Sequence, residues 1–129
     1  MNTNDVAIQE SFLHELKELS STIEKNTRHP SFILGKLCTA KDVATILNAE
    51  NPYKLCHALE GVYRSLADKK ITFSENVLSL INIVGKKLGE QGIFYEDSRI
   101  IERYVEYCDK AAAGEIFKTK ELSSSVAPT

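Results

Sequence analysis

Apolar residues recur every three or four positions along most of this chain, which is the spacing that places side chains on one face of an α-helix. The pattern predicts five helices, at about residues 5–25, 31–48, 52–68, 75–88 and 98–113. The predicted buried faces include Ile8, Leu16, Leu37, Leu59, Leu66, Leu78, Ile81 and Leu88. No stretch of useful length alternates between apolar and polar residues, so we predict an all-α fold without a sheet.

Polar residues precede three of these segments and are typical helix caps, because their side chains accept hydrogen bonds from free backbone amides. The predicted caps are Asn51, Ser74 and either Asp97 or Ser98. Gly89 and Gly114 are placed to end the fourth and fifth helices. Within the second segment, Thr39 followed by Asp42 also has the pattern of a helix start, so this segment could be one helix or two.

Short polar connections between amphipathic helices predict an up-down bundle. A chain of 129 residues fits one domain of ordinary size, and we assign it to residues 1–118. Residues 119–129, which end in SSSVAPT, are expected to form a mobile tail.

Composition narrows the classes of function. A formal net charge of −2 leaves no positive field to hold a phosphate backbone, so nucleic acid is not an expected partner. The N-terminal residues lack the pattern of a leader, and no apolar run approaches the ~20 residues that span a bilayer, so we expect a cytoplasmic protein without membrane contact. Three cysteines, Cys38, Cys56 and Cys108, are an odd number at scattered spacings, which favours reduced thiols.

The third predicted helix carries the candidate chemistry. At 100° per residue, Tyr53, His57, Glu60 and Arg64 fall opposite the apolar stripe, so His57 and Glu60 are expected to share a solvent-facing strip. Alone, this pair is typical of an ordinary solvated helix face. No CxxC or HxxxH spacing occurs, and no nucleophile has an evident base partner, so we expect no metal, no cofactor and no enzymatic activity.

Two longer segments change this interpretation. LCHALEGVYRSLADKKITFSENVLSLI, followed later by RIIERYVEYCDKAAAGE, resembles the histidine-phosphotransfer (HPt) domains of bacterial signalling, and most closely the N-terminal phosphotransfer domain of chemotaxis kinases. The resemblance covers roughly residues 31–118. It implies a four-helix bundle of HPt type with one additional helix, and a partner that is a response-regulator receiver domain or a histidine-kinase module.

The resemblance also assigns positions to a site. The family has a phosphoaccepting histidine with a lysine three residues on and a glycine four residues on, about nineteen residues before the histidine of the next helix. Counting back nineteen residues from His57 gives Cys38 at the acceptor position. Lys41 then matches the lysine, Asp42 stands in place of the glycine, and His57 and Glu60 match the residues that support the acceptor.

These departures imply a degenerate module that binds its partner without carrying phosphate. A thiol such as Cys38 is mostly protonated at neutral pH and is not the usual acceptor, and Asp42 adds bulk and negative charge where an acidic receiver would approach. Two alternatives remain open. His57 could itself accept phosphate, with Gly61 at the glycine spacing, or the chain could be a helical interaction protein unrelated to phosphorelay.

Overall fold

The computed structural model describes residues 3–120 and residue 122, and within them the chain forms five α-helices and no strand. The helices are α1 (Thr3–Lys25), α2 (Pro30–Leu47), α3 (Glu50–Ala67), α4 (Glu75–Leu88) and α5 (Ser98–Ala112). A short 3₁₀ turn, Ile93–Tyr95, lies between α4 and α5. The prediction of an all-helical chain is confirmed for these residues.

Two predicted caps are present. The Ser74 hydroxyl accepts a hydrogen bond from the Val77 amide at 3.2 Å, at the start of α4. The Asp97 carboxylate accepts one from the Arg99 amide at 2.9 Å, at the start of α5. Each side chain thereby satisfies an amide that has no partner within its own helix.

The start of α3 differs from the prediction. The helix begins at Glu50, so Asn51 lies inside its first turn and does not cap it. Its side-chain amide instead donates to the backbone oxygens of Ile93, at 2.9 Å, and Glu96, at 3.1 Å. Asn51 therefore links the 3₁₀ segment to α3 through two hydrogen bonds. Because these partners lie far away in the sequence, the local pattern of residues does not predict the contact.

The second segment is one continuous helix. The Thr39 hydroxyl donates to the backbone oxygen of Gly35 at 3.1 Å, one turn earlier in α2, and does not cap a new helix. This local bond lets a threonine stay in the helix interior.

The helix α3 lies at the centre of the fold and contacts α2, α4, α5 and the 3₁₀ turn, whereas α1 contacts α4 and, less extensively, α2. Six of the predicted core residues are buried in one cluster: Leu16, Leu37, Leu59, Leu66, Ile81 and Leu88. Tyr63 is buried with them, and its hydroxyl donates to the backbone oxygen of Thr27 at 3.0 Å. The core prediction is confirmed at these six positions.

Two predicted core positions are wrong. Ile8 is 44% exposed, because the buried stripe of α1 starts one turn later at Phe12. Leu78 is only partly buried, since Val77 and Leu80 take the inward positions at the start of α4. Both errors lie in the first two turns of their helices.

A buried lysine fixes the chain between α4 and α5. Lys87 is 6% exposed, and its ammonium contacts the carboxylates of Glu90, at 3.0 Å, and Glu96. Burial disfavours the charge, but the hydrogen bonds to Glu96 and Glu90 outweigh that effect and raise the pKa of Lys87. The hydrogen bond from Lys87 in turn lowers the pKa of Glu96.

The packed part of the chain extends beyond the predicted boundary at residue 118. Thr119, Lys120 and Leu122 are helical, and Leu122 is fully buried in the core cluster. The Ser79 hydroxyl donates to that of Thr119 at 3.3 Å, which links this segment to α4. These three residues of the predicted tail are thus packed on the helices, whereas residue 121 and residues 123–129 lie outside the described part of the chain. Among the described residues, none of the helices combines the length and the apolar character that a bilayer-spanning segment requires.

Candidate functional site

The site lies where α2 and α3 run side by side. The chain reverses direction between these helices in two residues, and Asn48 makes this possible by adopting a left-handed conformation with φ of 56°. Asparagine is one of the few residues that adopt this conformation at low cost. The tight reversal brings the middle of α2, which carries Cys38, Lys41 and Asp42, beside the middle of α3.

Lys41 is the centre of the cluster. Its ammonium donates to both carboxylate oxygens of Glu60, at 3.1 and 3.3 Å, and lies 3.2 Å from Nδ1 of His57. The same ammonium lies 5.8 Å from the centre of the Tyr53 ring, a cation–π distance. Of the five residues singled out in the sequence, the structure therefore brings Lys41, His57 and Glu60 into direct contact.

Glu60 does not lie on a solvent-facing strip as the helical wheel predicted. It is 4% exposed, because its side chain points toward α2. Two cations compensate its charge, since Arg64 also contacts Oε1 at 3.1 Å. A buried carboxylate is stable only with such partners, and Lys41 and Arg64 supply them from two helices.

His57 is exposed, and its ring stacks on Tyr53 one turn earlier, with centroids 5.9 Å apart and an interplanar angle of 7°. An ammonium can only donate a hydrogen bond, so Nδ1 of His57 accepts from Lys41. A neutral His57 then carries its proton on Nε2, the outer nitrogen. In this state neither ring nitrogen offers a free lone pair to a phosphorus atom.

Cys38 and Asp42 are both exposed on α2, Cys38 one turn before Lys41 and Asp42 directly after it. All three cysteines are free, and Cys56 and Cys108 are buried. Burial raises the pKa of Cys56 to about 12, although the nearby Lys41 opposes this effect and Glu60 adds to it. Burial likewise raises the pKa of Cys108. Cys38 is therefore the accessible thiol of the site, and the other two are packing residues.

Two contributors to the site were placed on this face by the sequence but given no role. Tyr53 supplies the aromatic surface for His57 and Lys41, and Arg64 is the second cation on Glu60. Each lies four residues from its partner on α3, a spacing that brings side chains together on a helix. That spacing is the signal that could have identified both.

Lys41, His57 and Glu60 already contact one another or their neighbours within the chain. Lys41, its central cation, is engaged by Glu60 and His57, so it is not free to neutralise an incoming phosphoryl group. No group of three or more potential metal ligands exists among residues 3–120 and 122. The arrangement presents the polar side chains of Cys38, Asp42 and His57 on one exposed surface of α2 and α3.

Comparisons with protein-family models, with curated protein sequences and with solved structures find no match for this chain. The geometry of the α2 and α3 surface is therefore the main support for a function.

Proposed function

We propose that this chain is a degenerate HPt-like signalling module that binds a receiver or kinase partner in a two-component or chemotaxis-type pathway without carrying phosphate. The observation that carries the proposal is the contact of Lys41 with His57 and Glu60 across two adjacent helices. These three residues occupy the positions that the HPt pattern gives to its lysine and to the two supporting residues.

The helical architecture is compatible with this proposal. Five helices with α3 at the centre allow a four-helix bundle of HPt type with one additional helix, and α2 and α3 would then form the docking face. The exposure of Cys38, Asp42 and His57 on that face leaves it open to a partner.

The same contacts argue against phosphate transfer. The acceptor position holds Cys38, a thiol, and the neighbouring Asp42 is exposed where an acidic receiver would approach. Lys41 is held by internal partners. A partner could therefore be held without passing a phosphoryl group to this chain.

Phosphotransfer through His57 is the second candidate, favoured by the exposure of its ring and by the open space at Gly61, where an added Cβ would meet nothing within 4 Å. The Lys41 contact at Nδ1 opposes it, because the proton then lies on Nε2. The two candidates differ in one measurable property, which is acid-labile phosphate on His57.

The test uses the full chain with an isolated receiver domain of a chemotaxis response regulator and with a chemotaxis-type kinase and labelled ATP. We expect binding that shifts the amide resonances around Cys38, Asp42 and His57, and no phosphate on the chain. Cys38→Glu adds bulk and negative charge where an acidic receiver would approach and should weaken binding at least tenfold, whereas Asn82→Glu, at an exposed site on α4, should not. Phosphate on His57 would establish the second candidate, and binding to neither protein would favour a helical interaction protein outside phosphorelay.

A further inference from the structure

Helix α2 has an outward face that includes two large apolar side chains. Phe32 is 47% exposed and Ile46 is 81% exposed, although both lie in a helix that buries only Ile33, Leu37 and Ala44 completely. The two exposed residues are separated by fourteen positions, so they fall within about 40° of each other on the helix. They mark the two ends of one face, with Thr39 midway between them.

The apolar residues of this face lie at equal distances before and after Thr39. Its charged residues do so too, but with opposite signs. Phe32 lies seven residues before Thr39 and Ile46 seven residues after it, while Lys36 lies three before and Asp42 three after. In an antiparallel copy of the helix that is aligned at Thr39, Ile46 therefore lies at the level of Phe32, and Asp42 lies at the level of Lys36. No ion pair of the described residues includes Lys36 or Asp42, and the Lys36 ammonium lies 5.4 Å from the centre of the Phe32 ring.

A glycine fits the same symmetry. Gly35 lies four residues before Thr39, and Val43 four residues after it. An added Cβ at Gly35 would meet nothing within 4 Å, so no neighbour in this chain explains a glycine there, and glycine weakens a helix interior. Space at Gly35 would admit the backbone or side chains of a second helix, including the branched side chain of Val43.

We propose that α2 packs antiparallel against α2 of a second copy of this chain, around a two-fold axis beside Thr39. Phe32 of one copy then meets Ile46 of the other at each end. Lys36 lies at the level of Asp42 of the second copy, within reach of its carboxylate, and the pair occurs twice. Such an interface is self-complementary, as a two-fold interface must be.

The surroundings of α2 leave this face open. Lys36, Thr39 and Val43 line one wall of a groove of 280 Å³ whose other wall is α1, so α1 borders this face but leaves space beside it. One pair of five-turn helices buries less than the ~1,200 Å² of a stable interface, so the dimer is weak and depends on concentration. It does not depend on the proposed signalling function, although it would cover Asp42.

Charge reversal tests the proposal with the full chain in sedimentation equilibrium at low salt. Lys36→Glu and Asp42→Lys should each weaken self-association at least tenfold, because each creates two like-charge contacts. An equimolar mixture of the two variants should restore it. In the mixed dimer the introduced glutamate of one copy faces the introduced lysine of the other, and the unchanged Asp42 of the first copy faces the unchanged Lys36 of the second.

Matched controls for these variants lie outside the proposed interface. Lys86→Glu and Asp109→Lys, exposed on α4 and α5, carry the same charge changes and should leave self-association unaltered. Recovery on mixing also separates lost pairing from lost folding, because a misfolded variant could not be rescued by mixing.

Cross-linking tests the position of the axis. In a Cys38→Ser background, Thr39→Cys should form a disulfide between two copies under mild oxidation. Thr45→Cys should not, because two residues six positions beyond the axis lie about 18 Å apart along the helices. A monomer at every concentration, self-association unchanged by charge reversal, or failure of the mixture to recover would each overturn the proposal.

Discussion

Lys41 reaches across the boundary between α2 and α3 and donates to both carboxylate oxygens of Glu60, at 3.1 and 3.3 Å. Glu60 is buried, so this is an ion pair at the helix interface and not a loose surface contact. Because Lys41 also contacts His57, one ammonium sets the position of both α3 side chains. The stability of the α2 and α3 pair and the chemistry of its surface therefore depend on the same residue.

Replacement of Lys41 tests this dependence. Lys41→Met leaves the buried Glu60 with only Arg64, so we expect a loss of about 1 to 3 kcal/mol in the free energy of unfolding, measured by urea denaturation. Arg64→Met is the matched control, since Arg64 is largely exposed and its removal should cost less than about 0.5 kcal/mol. Equal losses in the two variants would show that Lys41 is not the principal partner of Glu60.

The tautomer of His57 is a second measurable consequence of the Lys41 contact. Nitrogen-15 NMR of the ring at alkaline pH, where imidazoles are neutral, should report the proton on Nε2. In Lys41→Met the constraint on Nδ1 is lost, and both tautomers should be populated. His29, exposed and distant from Lys41 in sequence, is an internal control that should not change. A wild-type proton on Nδ1 would contradict the contact.

The sequence predicted the fold best where one periodic signal extends over a whole helix. The inward positions of α3 follow directly from its apolar stripe, and Leu59 and Leu66 are buried as predicted. The prediction that Ile8 is buried was wrong, because an apolar stripe gives the direction of the buried face but not the residue at which burial begins, which is Phe12 in α1. The prediction that Asn51 caps α3 was wrong because its side chain binds the backbone oxygens of Ile93 and Glu96, which lie more than forty residues away in the sequence.

For the candidate site, spacing selected three residues that lie together in the structure, but it did not predict their environment. The HPt pattern selected Lys41, His57 and Glu60, and the structure brings them together. The helical wheel of α3 gave Glu60 the wrong exposure, because a wheel shows the direction of a side chain and not whether α2 covers it. Which cation neutralises Glu60 depends on the packing of two helices and cannot be derived from either helix alone.

The buried position of Leu59 is open to direct measurement. Leu59→Ala removes a fully buried side chain from the central helix, so we expect a loss of about 2 to 5 kcal/mol in unfolding free energy. Ile116→Ala, at a residue that is 94% exposed, is the control and should change stability by less than about 0.5 kcal/mol. A loss at Leu59 as small as that of the control would place this side chain on the surface and refute the assignment of α3.

The Lys87 and Glu96 pair predicts a dependence on pH. Glu96→Gln should cost about 1 to 3 kcal/mol at pH 7, because it removes a charged partner of a buried ammonium. The pKa of Glu96 is lowered in the folded chain, so its contribution is complete above the ordinary value of 4.5 and is lost as pH falls through the lowered value. Urea denaturation at several pH values should therefore show variant and wild type converging below pH 4.5.

The exposed ion pair between Glu106 and Lys110 is the matched control for this measurement. Glu106→Gln should cost less than about 0.5 kcal/mol at pH 7, because a solvated pair is screened by water. A Glu96→Gln difference that persists unchanged at about pH 3 would show that lost packing, and not lost charge, causes the effect.

The last prediction concerns position 38, where the proposed function has its most specific consequence. If Cys38 stands in place of a phosphoaccepting histidine, Cys38→His with Asp42→Gly supplies both a nucleophile and room for an acidic donor. We expect acid-labile phosphate on this double variant after incubation with a chemotaxis-type kinase, and none on wild type. Cys38→His alone should label poorly, because the exposed Asp42 still repels the donor.

Two controls distinguish phosphorylation that depends on position 38 from phosphorylation of any exposed histidine on α2. Thr39→His with Asp42→Gly places an imidazole one residue away on the exposed face of α2 and should stay unlabelled. Glu60→Ala or Lys41→Ala, added to the labelled variant, should abolish the phosphate, because these residues hold the surface beside position 38. A folded double variant that accepts no phosphate from any kinase or small phosphodonor would remove the mechanistic support for an HPt origin, and the Lys41 and Glu60 pair would then be explained by helix packing alone.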